Sequence, residues 1–151
     1  MVMNEELRQF KIFQGLTDIE LQNIAEIAKK EEFPAEKRIF EEKSLASNLY
    51  LLLKGKVIIM KKADSSPGQI TIDTIGPGEI FGWSSITEPH NFTAAAHTIE
   101  ESEFLTISSD VLRDLFKKNN HIGYRVMNEI ASVISSRFRH LSQQYANQSK
   151  E

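Results

Sequence analysis

The residues with the most scope for chemistry lie between Gly76 and His97. They read Gly76-Pro-Gly-Glu-Ile-Phe-Gly-Trp-Ser-Ser85 and then, after a short excursion, Asn91-Phe-Thr-Ala-Ala-Ala-His97. Glycine at position 82 frees the backbone to approach a ligand closely. Ser84 and Ser85 would begin a short helical turn with outward-pointing amides, an arrangement suited to an anion. Taken alone, the same stretch reads equally well as an ordinary glycine-rich turn between two strands. Ser84 has His90 and His97 downstream, but some serine, histidine and carboxylate set exists in almost any chain, so no catalytic triad is expected. The four histidines, at 90, 97, 121 and 140, lack metal-ligand spacing. His97 sits in an apolar segment and reads as a hydrogen-bonded or half-exposed strand residue.

Several function classes lack their parts. There is no P-loop, no Gly-x-Gly-x-x-Gly and no Gly-x-Ser-x-Gly. Zero cysteines remove disulfides, cysteine-ligated iron–sulfur clusters and thiolate zinc sites, and fit a reducing compartment. The chain is therefore expected to be no enzyme and to need no cofactor. Its net charge of −3 gives no basic face of the kind nucleic acid demands. The one basic cluster, Arg137-Phe138-Arg139-His140, reads as a solvated helix face. The opening Met1-Val-Met-Asn-Glu-Glu shows no signal peptide, and no apolar run approaches the roughly 20 residues that span a bilayer. The expectation is a cytoplasmic protein without nucleic-acid or membrane partners.

The elements that must position these residues follow from periodicity. At 151 residues, 40% hydrophobic and 26% charged, the chain fits one domain with a real core. Leu7, Phe10 and Phe13 suggest a short helical turn. Thr17-Asp-Ile-Glu20 is a capping box, and Leu21, Ile24, Ala25, Ile27 and Ala28 extend an apolar stripe to about Lys30. The N-terminal helices thus occupy about 4–30. From 33 to 107 the period changes to short β-branched segments: Arg38–Glu41, Leu49–Leu53, Lys56–Lys61, Gln69–Ile75, Thr93–Ile99 and Glu103–Ile107. Turn signals at Lys54-Gly55, Asp64–Gly68 and Gly76–Gly78 separate them. Seven or eight evenly spaced strands predict a closed barrel or roll. In Gln69–Ile75, Ile70, Ile72 and, after a break at Thr74, Ile75 suggest an antiparallel strand with one wet face.

C-terminal helices occupy about 109–148, with Ser108-Ser109 as N-cap and an interruption at Asn119-Asn120. In the long second helix, Met127, Ala131, Ile134, Phe138, Leu141 and Tyr145 are spaced 4-3-4-3-4, an a/d register that implies a homodimer through this helix. Ile122, Val126, Ile130 and Val133 form a second stripe facing the roll. The fold class is α+β, mainly β: an antiparallel β-roll or jelly-roll barrel with N-terminal helices and a long C-terminal helix.

In this order and spacing, Phe13-Gln-Gly-Leu-Thr-Asp-Ile-Glu-Leu, Leu49-Tyr-Leu-Leu-Leu-Lys-Gly-Lys-Val and Pro77-Gly-Glu-Ile-Phe-Gly82 resemble the cyclic-nucleotide-binding domain family. That family includes catabolite-activator-type transcription factors and kinase regulatory subunits, and the resemblance covers nearly the whole chain. It implies an N-terminal helix, a central hairpin around Lys54-Gly55 and a phosphate-binding cassette starting at Pro77. A turn glycine common before the hairpin is replaced by Lys43. The family's cassette carries a Glu for the ribose hydroxyl where this chain has Trp83, and an Arg for the cyclic phosphate where it has Phe92, ahead of Thr93-Ala94. A bidentate Arg–phosphate pair is among the strongest polar contacts available, and losing such a bond costs about 1.5–3 kcal/mol. The positions that cap the base fall on Arg137 and Phe138. Arg137 either replaces the missing cation or stays in solvent.

The implied ligand-contacting set is Ile80, Phe81, Gly82, Trp83, Ser84, Ser85, Phe92, Thr93, Ala94, Arg137 and Phe138. Three functions follow: a regulatory or sensor module with an altered pocket; a genuine cyclic AMP or cyclic GMP sensor using backbone amides and Arg137; or a dimerisation module whose pocket is vestigial, filled by Trp83 and Phe92. The chain stops at Glu151, soon after the long helix, without a helix-turn-helix; it stands alone or is a fragment.

Overall fold

A computed structural model describes residues 1–64 and 67–148 of the protein; Ser65 and Ser66, inside the expected Asp64–Gly68 turn, lie outside the described residues. Thr17 fixes where the first long helix begins. The Thr17 hydroxyl accepts from the Glu20 amide at 3.2 Å, and the Glu20 carboxylate accepts from the Thr17 amide at 3.0 Å. This caps α2 (Asp18–Ile27), which follows α1 (Asn4–Arg8) and a 3-10 turn at Lys11–Phe13. Leu7, Phe10 and Phe13 are all buried in one cluster with Leu21 and Ile24.

The helix stops at Ile27, short of the expected Lys30. Ala28 already has extended dihedrals, and Ala28–Phe33 forms strand β1, paired along its whole length with β8. A long-range ladder overrides the local helical stripe, so the roll begins at residue 28 rather than 33.

Eight strands among the described residues form two antiparallel sheets. The first has the order β1 (Ala28–Phe33), β8 (Ser102–Ser108), β3 (Asn48–Lys54), β6 (Ile80–Phe81). The second has the order β2 (Arg38–Phe40), β7 (Ala95–Thr98), β4 (Val57–Lys62), β5 (Gln69–Ile75). The fold is the expected antiparallel β-roll of an α+β protein, but helices hold more of the described residues than strands, so it is not mainly β. The expected central hairpin is a correction: β3 pairs with β8 and β6, and β4 with β5 and β7. Both edges of β3 are taken, so Lys54-Gly55 carries the chain from one sheet to the other. Gly55 does this at φ +99°, where a Cβ would lie 2.2 Å from the Ser102 hydroxyl.

Every residue from Leu49 to Leu53 is buried because β3 has apolar neighbours on both faces. Leu49, Leu51 and Leu53 face the helices, with Leu105, Ile107, Ile122, Val126 and Ile130. Tyr50 and Leu52 face the roll interior, with Val57, Ile75, Phe81, Phe92 and Phe104. In β5 the expected alternation fails. Asp73 pairs with Ile59 and Thr71 with Met60, so Ile72 is the extra residue of a bulge, while Ile70 is 57% exposed.

The C-terminal helices are α3 (Ser109–Lys118) and α4 (Asn120–Gln148). Ser108 occupies the N-cap without a side-chain hydrogen bond, whereas Ser109 donates to the Ser47 carbonyl at 2.9 Å. The Asn119 side chain accepts from the amides of His121 and Ile122, which starts α4 as α3 ends. None of the helices among the described residues is long and apolar enough to cross a membrane.

The helical layer is fastened to itself at Glu20. Its covered carboxylate meets His121 Nδ1 at 2.8 Å, Asn119 Nδ2 at 3.2 Å and the Thr17 amide. Burial pushes this carboxyl up, but the Thr17 amide, His121 and Asn119 together outweigh it and hold the group below its ordinary range. A carboxyl lowered in the folded state stabilises above the unfolded value, about 4.3. That contribution disappears as pH falls through the folded value. Urea unfolding between pH 7 and pH 3 should show Glu20→Gln less stable at pH 7 by about 1–3 kcal/mol, with a flatter acid limb. A wild-type acid limb in the variant would contradict this role.

Candidate ligand cavity

Gly82 turns the chain from β6 into the 3-10 turn Trp83–Ser85. It takes φ +79°, and a Cβ there would lie 2.7 Å from the Tyr50 ring. Glycine is thus required by the packing of Tyr50 as well as by the turn. Lys43, the residue in place of a turn glycine, also holds a left-handed φ of +71°. Its amide donates to the Phe92 carbonyl at 2.8 Å and its carbonyl accepts from the Asn91 side chain at 3.1 Å. These bonds hold the 91–94 segment across from the Gly82 turn.

Between that segment, the second sheet and α4 lies a cavity of about 530 Å³. Of the expected ligand-contacting residues, Phe81, Gly82, Trp83, Ser84, Phe92, Thr93, Ala94 and Arg137 line it. Ile80, Ser85 and Phe138 do not. Ile80 is buried on the helical side and gives only its carbonyl to Arg137. Ser85 is buried and its carbonyl accepts from Arg113 at 2.8 Å. Phe138 is 69% exposed on α4. Phe92 is 5% exposed and stacks on Phe40 with ring centroids 3.6 Å apart, so it is part of the wall and leaves the cavity open.

Arg137 is 16% exposed, which replaces the expectation of a solvated side chain. Its Nη2 donates to the Ile80 carbonyl at 2.7 Å, and its guanidinium carbon sits 4.5 Å from the Trp83 ring centre. Nε is 2.9 Å from Asp73 Oδ2, and Nη2 is 3.9 Å from a Glu79 oxygen. Burial pulls the guanidinium down from its ordinary value, opposed by the charges of Asp73 and Glu79. One side chain thus ties α4 to β5, to β6 and to the turn after it.

Lys61, Asp73, Glu79 and His140 also line the cavity, together with Phe40, Ile59, Ile72, Ser136 and Leu141. None of these was expected as a contact. Ile72 and Asp73 are neighbours in sequence, yet both line the cavity because of the bulge at Ile72. The broken alternation of β5 was the one visible signal. Lys61 donates to the Thr93 carbonyl at 3.0 Å and meets Glu42 at 3.3 Å. The site thus combines aromatic and aliphatic walls with a few convergent charges, the ordinary character of a small-molecule pocket.

The α4 stripe is divided. Met127 and Ile134 are partly buried against the chain's own core, a correction to the view that the whole a/d register is available to a partner. Ala131, Phe138, Leu141 and Tyr145 are exposed, and Leu141 touches both the stripe and the cavity.

Comparison with known proteins gives the same family from sequence and from structure. Residues 30–119 match the family described as the cyclic nucleotide-binding domain. The CRP-like cAMP-activated global transcriptional regulator of Mycobacterium tuberculosis is 29% identical over 130 residues, covering 85% of this chain and 57% of the relative. The cyclic AMP receptor protein of Thermus thermophilus is 25% identical over 128 residues, with the same coverage. The chain therefore spans a little over half the length of these curated relatives. A Geobacter metallireducens crystal structure, named for cyclic nucleotide binding, superposes with a TM-score of 0.81 at 33% identity, covering 91% of this chain and 99% of that one. A cyclic nucleotide-binding domain from Methylobacillus flagellatus shares the fold at TM-score 0.84 and 22% identity, over 95% of this chain and 80% of its own.

Proposed function

The chain belongs to the cyclic nucleotide-binding domain family, and from that premise we propose that it is a regulatory module whose cavity binds a small molecule other than an ordinary cyclic nucleotide. The observation that carries this is the position of Arg137. Arg137 on the cavity wall belongs to α4, the helix that carries the exposed apolar stripe, so a ligand that contacts it also bears on the placement of α4. The relatives matched by sequence are named a transcriptional regulator and a cyclic AMP receptor protein, which supports a regulatory role over catalysis. On the family correspondence, Trp83 and Phe92 stand where a ribose-binding Glu and a phosphate-binding Arg belong. The open volume supports a working site over a vestigial one.

A second reading is a cyclic AMP or cyclic GMP sensor in which Arg137 replaces the lost cation. Its support is the presence of that guanidinium on the cavity wall; against it, both Asp73 and Glu79 face the same group. The module is further proposed to work as a homodimer through the exposed part of the stripe.

A thermal-shift screen of small molecules, cyclic mono- and dinucleotides included, tests the binding reading. A ligand at a hundred times its Kd adds about 2.7 kcal/mol of apparent stability. Thr93→Trp, which fills the cavity from an exposed wall position, should abolish the shift. A shift that survives Thr93→Trp would place the ligand elsewhere and contradict the assignment.

A further inference from the structure

The charges around the cavity already answer one another. Two cations, Lys61 and Arg137, are held by three carboxylates: Glu42 on the first, Asp73 and Glu79 on the second. Lys61 also spends a donor on the Thr93 carbonyl, and Arg137 spends one on the Ile80 carbonyl. Among the described residues that line the cavity, an incoming anion meets no lysine or arginine without a carboxylate partner, and it brings its charge toward Asp73 and Glu79, which costs free energy, most of it at the more covered Asp73.

The acceptors are less well served than the donors. Asp73 Oδ2 is buried and receives no hydrogen bond, since the Arg137 Nε–H at 2.9 Å does not point at it. Its other oxygen, Oδ1, accepts from the Thr74 amide at 2.9 Å. A buried carboxylate oxygen without a donor is costly, and turned into the cavity that Asp73 lines it would accept a ligand N–H or O–H. The rest of the wall is apolar: Phe40, Ile59, Phe81, Phe92 and Leu141.

We propose that the cavity selects a ring-bearing ligand with no negative charge that presents an amine or hydroxyl donor to Asp73. This rests on the cavity being a ligand site, as proposed above, and adds the chemical class. Asp73 is then the residue that determines specificity, while Arg137 offsets its charge as an ion pair at Oδ2 without donating a hydrogen bond to it.

Three fragments with one ring and different heads test it: 2-phenylethylamine, 2-phenylethanol and phenylacetate. Trp83 is the chain's one tryptophan and lines the cavity, so its indole N–H resonance reports occupancy directly. The amine and the alcohol should shift that resonance and saturate, with phenylacetate at least about tenfold weaker. In Asp73→Asn, which keeps the Oδ1 acceptor for Thr74, amine binding should weaken and phenylacetate binding strengthen. Glu79→Gln should raise phenylacetate binding while leaving the alcohol unchanged. Phenylacetate binding as well as the amine in wild type would overturn the charge selection and leave the cavity standing as a site. Equal weakening of all three fragments by Asp73→Asn would reduce Asp73 to a structural role and overturn the proposal. If none of the fragments moves the Trp83 resonance, the ring-bearing class is overturned, while the thermal-shift screen with Thr93→Trp still decides whether the cavity is a ligand site.

Discussion

Aspartate at both Phe138 and Leu141 should turn a dimer into monomers by sedimentation at tens of micromolar, weakening association at least about a hundredfold. The motive is geometric. α4 has 29 residues, about 43 Å of helix, and its deeply buried residues, Ile122, Val126 and Ile130, all lie in its first half. Beyond Arg137 every described residue is exposed, yet Phe138, Leu141 and Tyr145 continue an apolar a/d register. An exposed apolar strip of this kind on a helix is ordinarily covered by a partner. In a parallel pair each substitution enters the interface twice, so two positions bury four unpaired carboxylates. Phe138 is 69% exposed and Leu141 39% exposed, so the roll should keep its stability while association is lost. Wild type sedimenting as a monomer at this concentration would end the dimer proposal. A variant that remains dimeric would move the interface to another face.

Combining Trp83→Glu with Phe92→Arg should raise affinity for cyclic AMP by at least about tenfold, from a starting point no better than roughly the high-micromolar range. The two changes should be strongly non-additive, because both act through one ligand pose. Phe92→Arg alone restores a cation but leaves the indole, with Arg137 over it, where the family correspondence would put the ribose-binding Glu. Trp83→Glu alone opens space but adds a third carboxylate beside Asp73 and Glu79. The structure also sets a stability cost: Phe92 is buried and stacked on Phe40, so an Arg there must lay its stem along that ring to keep the charge near the cavity. Calorimetry on wild type, both single variants and the double, each first shown to be folded by circular dichroism, decides it. A well-folded double variant with no gain would mean that the Gly82–Ser85 turn no longer cradles a nucleotide.

Local chemistry made most of this fold legible in the sequence. The Thr17–Glu20 capping box and the β-branched runs appear where their residue types place them, and Ile122, Val126 and Ile130 bury the core-facing stripe of α4. What could not be read was settled at long range. Ala28 to about Lys30 reads as the end of a helical stripe in sequence, yet Ala28–Phe33 is a strand because β8 is there to pair with it. Leu49–Val57 looks like a hairpin, but β3 finds its partners in β8 and β6, so the turn at Gly55 crosses between sheets. The site divides in the same way. Phe81 to Ser84 and Phe92 to Ala94 were visible as a motif, and Arg137 through the family's spacing. Asp73, Glu79 and Lys61 were not, because a charged side chain on a half-exposed strand or turn looks like any surface charge until the bulge in β5 and the approach of α4 bring it to a cavity wall.

The most direct single test is titration of the unmodified protein with cyclic AMP, followed by calorimetry and by the fluorescence of Trp83 on the cavity wall. No saturation below roughly the high-micromolar range is expected, because the cations at the site are already held by Asp73, Glu79 and Glu42. A saturable Trp83 response with a low-micromolar or tighter Kd would contradict this, and would mean that Arg137 leaves Asp73 to hold the cyclic phosphate.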